Sequence, residues 1–130
     1  MFKNILSRPK PLKSNYEFKM IQPFEKRQQE SQRVLEKYPD FIPIILEKTE
    51  HGNLPDLNKK KYLIPKDFTI KDFMITIRKK MQINEQQSIF LFVDNRVLPS
   101  LTKRLDEIYN SYKDKDGFLY ITYSPENTFG

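Results

Sequence analysis

The segment DGFLYITYSPENTFG, residues 116–130, carries the strongest structural signal in the chain. Its residues Phe118–Tyr123 are mostly aromatic or β-branched, which is typical of a buried strand. The preceding Asp116-Gly117 pair predicts a turn, because glycine has no Cβ to oppose a positive φ. No apolar periodicity follows Pro125, so the segment predicts a last strand and a short tail that ends in Gly130.

The terminal glycine admits two interpretations. Gly130 has no side chain to crowd its carboxyl group, so an activating enzyme could hold it in a narrow channel and pass it to an amine. Alternatively, the chain simply stops at this residue. The tail alone leaves both interpretations open.

The composition predicts one domain with a single core. The chain has 130 residues, 38% of them hydrophobic, and its ten Phe and seven Tyr predict a core rich in aromatic rings. It contains no run of about 20 apolar residues and no apolar secretory leader. The absence of cysteine excludes disulfides, thiolate metal sites and a cysteine nucleophile, and the single His51 lies in a polar turn where we expect it to be solvated. These features fit a cytoplasmic protein, and nothing in this composition points to a catalytic residue, a cofactor or a metal site.

Positive charge is concentrated near the N-terminus. Residues 1–38 contain nine Lys or Arg and four Glu, which accounts for five of the six net positive charges. This distribution predicts an acidic partner, whether a protein, an anionic lipid surface or a nucleic acid, although a solvated face explains it equally well. Pro9 and Pro11 disfavour a continuous helix, so we expect residues 1–15 to be a flexible basic extension.

Hydrophobic periodicity predicts four helices and four strands. The predicted helices cover residues 16–22, 24–38, 69–81 and 102–112, and the predicted strands cover residues 41–48, 59–65, 88–93 and 118–123. After two N-terminal helices the order is β-β-α-β-α-β, which predicts one long helix on a four-stranded mixed sheet. The expected divisions are the extension 1–15, a helical subdomain 16–39, the sheet domain 40–124 and a flexible tail 125–130.

Two local patterns bear on a binding site. Lys59, Lys60 and Lys61 open the second predicted strand and mark it as a sheet edge, since edge lysines discourage unwanted strand pairing. Pro43 lies in a first strand that is apolar on both faces. We therefore expect this strand to be central and to be less fully paired at the proline.

Seven stretches of the chain are distinctive. They are PFEKR at 23–27, EKYPD at 36–40, IPIILEK at 42–48, LNKKKYLIP at 57–65, IRKK at 77–80, FLFV at 90–93 and the terminal DGFLYITYSPENTFG. Together they resemble the ubiquitin-like autophagy modifiers, the group of the GABA receptor-associated protein and microtubule-associated light chain 3. The resemblance covers roughly residues 16–130 and implies an α+β fold, the ubiquitin-like β-grasp with two extra N-terminal helices.

The resemblance implies a modifier rather than an enzyme. In this family, activating and conjugating enzymes of a ubiquitin-type cascade join the C-terminal glycine, here Gly130, to the amine of phosphatidylethanolamine. The expected partners are these enzymes, a cysteine protease that processes and deconjugates the modifier, and the autophagosomal membrane, which the attached lipid contacts. The catalytic cysteines belong to the partners.

The resemblance also implies binding of acid-flanked cargo-receptor peptides of the pattern aromatic-x-x-aliphatic, which add a strand to the edge beginning at Lys61. It places in the aromatic pocket Glu30, Val34, Pro43, Ile45, Lys61, Leu63 and Phe118. It places in the aliphatic pocket Ile64, Pro65, Phe68, Phe73 and Thr76. It assigns the contacts with the flanking acids of the peptide to Lys59, Lys60 and Lys80. Without the resemblance, Ile45, Phe73 and Phe118 are better explained as core residues and Lys61 as an edge lysine.

Three departures from the family leave the subgroup and the peptide preference open. Phe41 stands where relatives usually carry a basic residue, Thr76 replaces a leucine, and the Ser100–Arg104 loop is one residue longer than in the GABA receptor-associated members.

Two other functions also stay open: an unconjugated adaptor that binds peptides or microtubules, and a basic arm that binds nucleic acid. The second is disfavoured because the sequence has no RNA motif with interleaved aromatic residues.

Overall fold

The computed structural model describes residues 15–50, 52–95 and 97–126. The N-terminal residues 1–14, His51, Arg96 and the tail 127–130 with Gly130 lie outside the described residues. The described part contains four helices and four strands. In chain order they are α1 (Glu17–Ile21), α2 (Phe24–Lys37), β1 (Phe41–Lys48), β2 (Lys61–Pro65), α3 (Ile70–Met81), β3 (Phe90–Val93), α4 (Leu105–Tyr112) and β4 (Leu119–Ser124).

The four strands form one sheet in the order β2-β1-β4-β3. The central strands β1 and β4 run parallel, with Ile44 opposite Leu119, whereas β2 and β3 pair antiparallel with them at the edges. Because a central strand is covered on both faces, β1 is buried from Ile42 to Glu47. The predicted ubiquitin-like β-grasp and the central position of β1 are confirmed.

The predicted helices and strands are confirmed in type, but β2, β3 and α4 begin later than predicted. β2 begins at Lys61, two residues late, and α4 begins at Leu105, three residues late. The later start of α4 arises because Arg104 is extended and forms a bridge with Thr69. Helix α3 begins with a capping box, in which the Thr69 hydroxyl accepts the Asp72 N–H at 3.2 Å and the Asp72 carboxylate accepts the Thr69 N–H at 2.9 Å.

The sheet carries a core on each face. Helices α3 and α4 supply part of the larger core. The smaller core, on the other face, consists of Tyr16, Phe18, Ile45, Phe118 and Tyr120. In this smaller core the rings of Tyr16 and Tyr120 lie 4.8 Å apart and those of Phe18 and Phe118 meet edge-on at 5.4 Å. The N-terminal helices therefore share buried contacts with the sheet, and the predicted division at residues 39 and 40 stays a prediction.

A buried ion pair fastens α2 to the turn before β4. The Arg27 Nη1 atom lies 2.6 Å from the Asp116 Oδ2 atom, and Asp116 is fully buried. The same carboxylate accepts the Tyr120 hydroxyl at 2.5 Å and the Phe118 N–H at 2.9 Å. Ser31 on α2 donates its hydroxyl to the Asp116 carbonyl oxygen at 2.5 Å. The buried charge thus has a countercharge and hydrogen bonds, without which its burial would be strongly unfavourable.

A second buried carboxylate holds α1. Glu47 on β1 is 3% exposed, and its two oxygens accept the N–H groups of Glu17 and Phe18 at 2.8 and 2.9 Å. These N–H groups belong to the first turn of α1 and have no carbonyl partner within the helix. The Glu47 carboxylate therefore caps α1 and fixes it against the sheet.

Tyr120 predicts how stability responds to alkaline pH. Burial and the hydrogen bond to Asp116 raise the pKa of Tyr120 above its ordinary value of 10.0. Above pH 10 the unfolded chain loses this proton, whereas the folded protein keeps it. The titration of Tyr120 therefore leaves the free energy of unfolding unchanged below pH 10 and lowers it as the pH rises above 10. We expect Tyr120→Phe to reduce that fall by at most about 1.4 kcal/mol per pH unit.

Urea unfolding at a series of pH values up to about 11.5 measures the effect of Tyr120→Phe. Below pH 9 the stabilities of wild type and variant should depend on pH in the same way, because Tyr120 titrates there in neither the folded nor the unfolded wild-type chain. Identical slopes above pH 10 would show that the folded protein does not retain this proton.

Candidate functional site

Strand β2 forms an edge of the sheet and turns half of its backbone groups outward. The Lys60 carbonyl accepts the Leu46 N–H at 2.8 Å, and the Lys66 N–H donates to the Asp40 carbonyl at 2.9 Å. Hydrogen-bonded pairs alternate along an antiparallel ladder, so residues 60, 62, 64 and 66 face β1 with their backbone groups. The N–H and C=O groups of residues 61 and 63 therefore point away from the sheet, where a peptide strand could pair with them.

Two prolines, Pro43 on β1 and Pro65 on β2, lie in this ladder. Pro43 lies opposite Leu63, and the pairing of β1 with β4 begins only at Ile44. The missing N–H of Pro43 thus falls where pairing with β4 has not yet begun, and the predicted weaker pairing at this residue is confirmed. Pro65 has no N–H either, so the row of outward donors on β2 ends at Leu63.

A cavity of about 130 Å³ opens between β2 and α2. Its walls, which we call the edge pocket, are Glu30, Val34, Pro43, Lys59, Lys61, Tyr62, Leu63 and Phe118. The structure thus brings together six of the seven residues predicted for the aromatic pocket. The seventh, Ile45, does not line it, because Ile45 is fully buried in the smaller core beside Phe118.

The two lysines at the start of β2 already have partners in the structure. Lys61 Nζ lies 2.8 Å from the Glu30 carboxylate, which also lines the edge pocket. Lys60 Nζ lies 3.3 Å from Glu17 and 3.8 Å from Glu47, so it contacts the α1 region. A peptide acid that binds either lysine must therefore compete with a carboxylate of the same chain.

Tyr62 was missed as a pocket residue, although it stands between two of the predicted basic residues. The Nζ atoms of Lys59 and Lys80 lie 5.1 and 5.9 Å from the centre of its ring. The Tyr62 hydroxyl is buried without a hydrogen-bond partner among the described residues, and burial raises the pKa of Tyr62. For Lys59 the lysine run was the available signal, because the ring of Tyr62 directly after the run offers the cation a surface to lie on, whereas the contact with Lys80 on α3 depends on the fold.

The residues predicted for the aliphatic pocket are only partly at the surface. Phe73 is fully buried and Ile64 is 8% exposed, and both belong to the larger core. Phe68 and Thr76 are half-buried, while Pro65 alternates with Ile64 and so faces the other side of β2. Phe68 and Thr76 are therefore accessible from the surface, whereas Phe73 and Ile64 are core residues.

The last described residues leave the sheet next to β3. Ser124 lies opposite Phe90, and its hydroxyl accepts the Glu126 N–H at 3.1 Å.

Within residues 15–50, 52–95 and 97–126, no three His, Cys, Asp or Glu side chains are grouped so that they could hold a metal ion. No helix of these same ranges is long and apolar enough to cross a membrane.

The chain is similar to known proteins over most of its length. A profile of the family described as "Autophagy protein Atg8 ubiquitin like" matches residues 26–130. Autophagy-related protein 8e of Arabidopsis thaliana is 52% identical over 113 residues, 87% of this chain and 92% of that protein. Autophagy-related protein 8 of Neosartorya fischeri is 50% identical over 113 residues, 87% and 95% of the two chains. The crystal structure of Trypanosoma brucei ATG8 superposes with a TM-score of 0.82 at 38% identity and covers 90% of this chain and 100% of that one.

Proposed function

This chain belongs to the Atg8 family of ubiquitin-like autophagy proteins, and from that we propose that it is a modifier conjugated through Gly130 to phosphatidylethanolamine on autophagosomal membranes. The observation that carries the proposal is the family match, which extends to Gly130 itself. In this role the chain is the substrate of activating and conjugating enzymes and of a processing cysteine protease. It performs no catalysis of its own.

Conjugation to this lipid would give a stable membrane anchor. Each CH₂ group buried in a bilayer contributes about 0.8 kcal/mol, and a single acyl chain holds a protein only weakly. Phosphatidylethanolamine brings two chains, so one covalent bond at Gly130 would convert the chain to a membrane-bound protein.

Gly130→Ala should abolish conjugation, because the added methyl group crowds the carboxyl carbon that must pass between the enzymes. The measurement is intact mass and flotation with vesicles after reaction with purified activating and conjugating enzymes, with phosphatidylethanolamine present or omitted. Glu126→Ala, an exposed position in the same terminal segment, is the control and should be conjugated at the wild-type level. Wild-type conjugation of Gly130→Ala would refute the assignment and leave an unconjugated adaptor as the better explanation.

We propose the β2 edge as the surface that recruits cargo receptors. The outward backbone groups of Lys61 and Leu63 suit strand addition by a peptide, and the edge pocket beside them suits an aromatic side chain. In an added strand, the residue three positions after the aromatic one points to the opposite face. An aliphatic side chain at that position could pack on the half-buried Phe68 and Thr76. Acids flanking the motif would compete with Glu30 for Lys61.

Leu63→Ala should weaken binding of an acid-flanked tryptophan peptide by about 1–3 kcal/mol, roughly fivefold to 150-fold in Kd, since it removes apolar wall from the edge pocket. Lys61→Ala should cost about 0–1 kcal/mol, because the lysine is half-exposed, and this cost should fade at high salt. Calorimetry at two salt concentrations measures both changes. Leu98→Ala makes the same chemical change at an exposed position outside the edge pocket and should bind like wild type. If Leu63→Ala also binds like wild type, the peptide site lies elsewhere.

A further inference from the structure

A second depression lies on the β1–β2 ribbon next to the edge pocket. It has a volume of about 540 Å³, and its walls, which we call the Phe41 pocket, are Asp40, Phe41, Pro65, Lys66, Asp67 and Arg104. The register pairs Phe41 with Pro65 and Pro43 with Leu63. Because side chains two residues apart share a face of a strand, these two pairs point to the same side of the ribbon.

The spacing of the two pockets fits one added strand. Leu63 lines the edge pocket and Pro65 lines the Phe41 pocket, so the two pockets are offset by two residues along β2. Two residues of a strand span about 6.7 Å. A peptide strand on the outer edge of β2 has the same spacing between side chains on one face, so a residue in the edge pocket and the residue two positions away would fill the two pockets together.

The direction of the peptide follows from where the partly exposed apolar surface continues. Phe68 lies at the Pro65 end of β2, since its N–H donates to the Pro65 carbonyl at 3.1 Å, and both Phe68 and Thr76 are half-buried. A peptide parallel to β2 with its aromatic residue in the edge pocket brings the residue three positions later toward them. It then brings the residue two positions after the aromatic one to the Phe41 pocket. An antiparallel peptide would instead place its later residues beside Lys60, which is held by Glu17 and Glu47.

The Phe41 pocket suits an uncharged ring. Phe41 is half-buried and its ring meets that of Tyr38 edge-on at 6.1 Å, while Pro65 supplies the facing apolar surface. The charged wall residues are two acids and two bases, and each base has a partner. Lys66 lies 3.1 Å from Asp40, and Arg104 lies 2.7 Å from Asp106. An acidic peptide residue would thus meet no unpaired base among these groups, whereas an aromatic ring would pack on Phe41 and Pro65.

We propose that Phe41 determines specificity, by selecting an aromatic residue two positions after the aromatic anchor of a peptide that runs parallel to β2. The inference rests on the proposed peptide-binding function of the β2 edge and adds a third side-chain contact to it. Peptides of the form aromatic-x-aromatic-aliphatic should accordingly bind this chain better than peptides with a small or acidic residue at that position.

The test is a double-mutant cycle by calorimetry with one acid-flanked peptide that has tryptophan as anchor and leucine three residues later. The residue two positions after tryptophan is Ala, Phe or Glu, and a fourth peptide carries Phe two positions before tryptophan. The proteins are wild type, Phe41→Ala, Phe41→Arg and the control Tyr112→Ala, an exposed aromatic residue on α4. Thermal unfolding of each variant establishes that it is folded.

Wild type and Tyr112→Ala should bind the Phe peptide roughly threefold to tenfold more tightly than the Ala peptide. Phe41→Ala should reduce this ratio to less than about twofold, and Phe41→Arg should reverse the preference toward the Glu peptide. An unchanged ratio in Phe41→Ala, or a gain only for the peptide with Phe before tryptophan, would overturn the inference while leaving the peptide site intact. Failure of the Ala peptide to bind, or binding that Leu63→Ala does not weaken, would instead refute the proposed function of this edge.

Discussion

Asp116→Ala should lower the free energy of unfolding by about 3–5 kcal/mol, a large part of the stability of a domain of this size. The substitution leaves Arg27, a residue that is 8% exposed, without its countercharge. It also removes the acceptor of the Tyr120 hydroxyl and the Phe118 N–H. Urea unfolding at pH 7, followed by circular dichroism, measures the loss.

Two variants separate the buried charge from the general effect of losing a carboxylate. Asp114 pairs with Lys19 at 2.6 Å, but the side chains of both partners are partly exposed, so Asp114→Ala should cost about 1 kcal/mol or less. Arg27→Met combined with Asp116→Ala should be more stable than Asp116→Ala alone, because no uncompensated charge stays buried. If Asp114→Ala and Asp116→Ala were equally destabilising, burial of the charge would not be the cause.

Gly117→Ala should cost about 2–4 kcal/mol, since it combines backbone strain with a steric clash. The φ of Gly117 is +91°, a conformation that opposes a Cβ, and the added carbon would overlap the Ser31 hydroxyl. Ser31 cannot turn aside without losing its bonds to the carbonyls of Asp116 and Gln28, at 2.5 and 3.0 Å. Helix α2 would therefore have to move away from the turn. Thermal and urea unfolding measure the cost.

Gly52→Ala is the matched control for Gly117→Ala. Gly52 also has a positive φ, at +123°, but its added Cβ would meet the ring of Pro125 near the end of the described chain. That contact can relax because Pro125 follows the last strand, so Gly52→Ala should cost about 1–2 kcal/mol, mostly backbone strain. Removing the clash by Ser31→Gly should restore part of the stability of Gly117→Ala. A cost for Gly117→Ala below that of Gly52→Ala would contradict the steric argument.

The same buried network holds two walls of the edge pocket in place. Phe118, one wall of the pocket, donates its N–H to Asp116, and Glu30, another wall, lies one helical turn after Arg27 on α2. The ion pair of Arg27 with Asp116 thus holds the helix that carries Glu30 against the strand that follows Phe118. Displacement of α2 should consequently weaken the peptide binding that we propose for this pocket, as well as folding.

Most of the elements of this protein can be predicted from its sequence, because they depend on local patterns. The continuous apolar run of β1, the Thr69 and Asp72 pair that caps α3, and the Asp116-Gly117 turn each act over a few residues. The edge position of β2 was likewise evident, since a run of lysines is incompatible with a strand that is covered on both sides.

Burial and partner choice were decided by packing between distant segments. Arg27 counts in the sequence as one more basic residue near the N-terminus, yet it is buried because Asp116, 89 residues later, offers a countercharge. Glu47 sits in an apolar strand and becomes a helix cap only when α1 lies across the sheet. Ile45 and Phe73 carry the residue types of a pocket, but the cores that form on the two faces of the sheet enclose them completely. The linear pattern predicts the face of the strand or helix on which a side chain lies. The exposure of that side chain depends on which other segments of the chain pack against the same face.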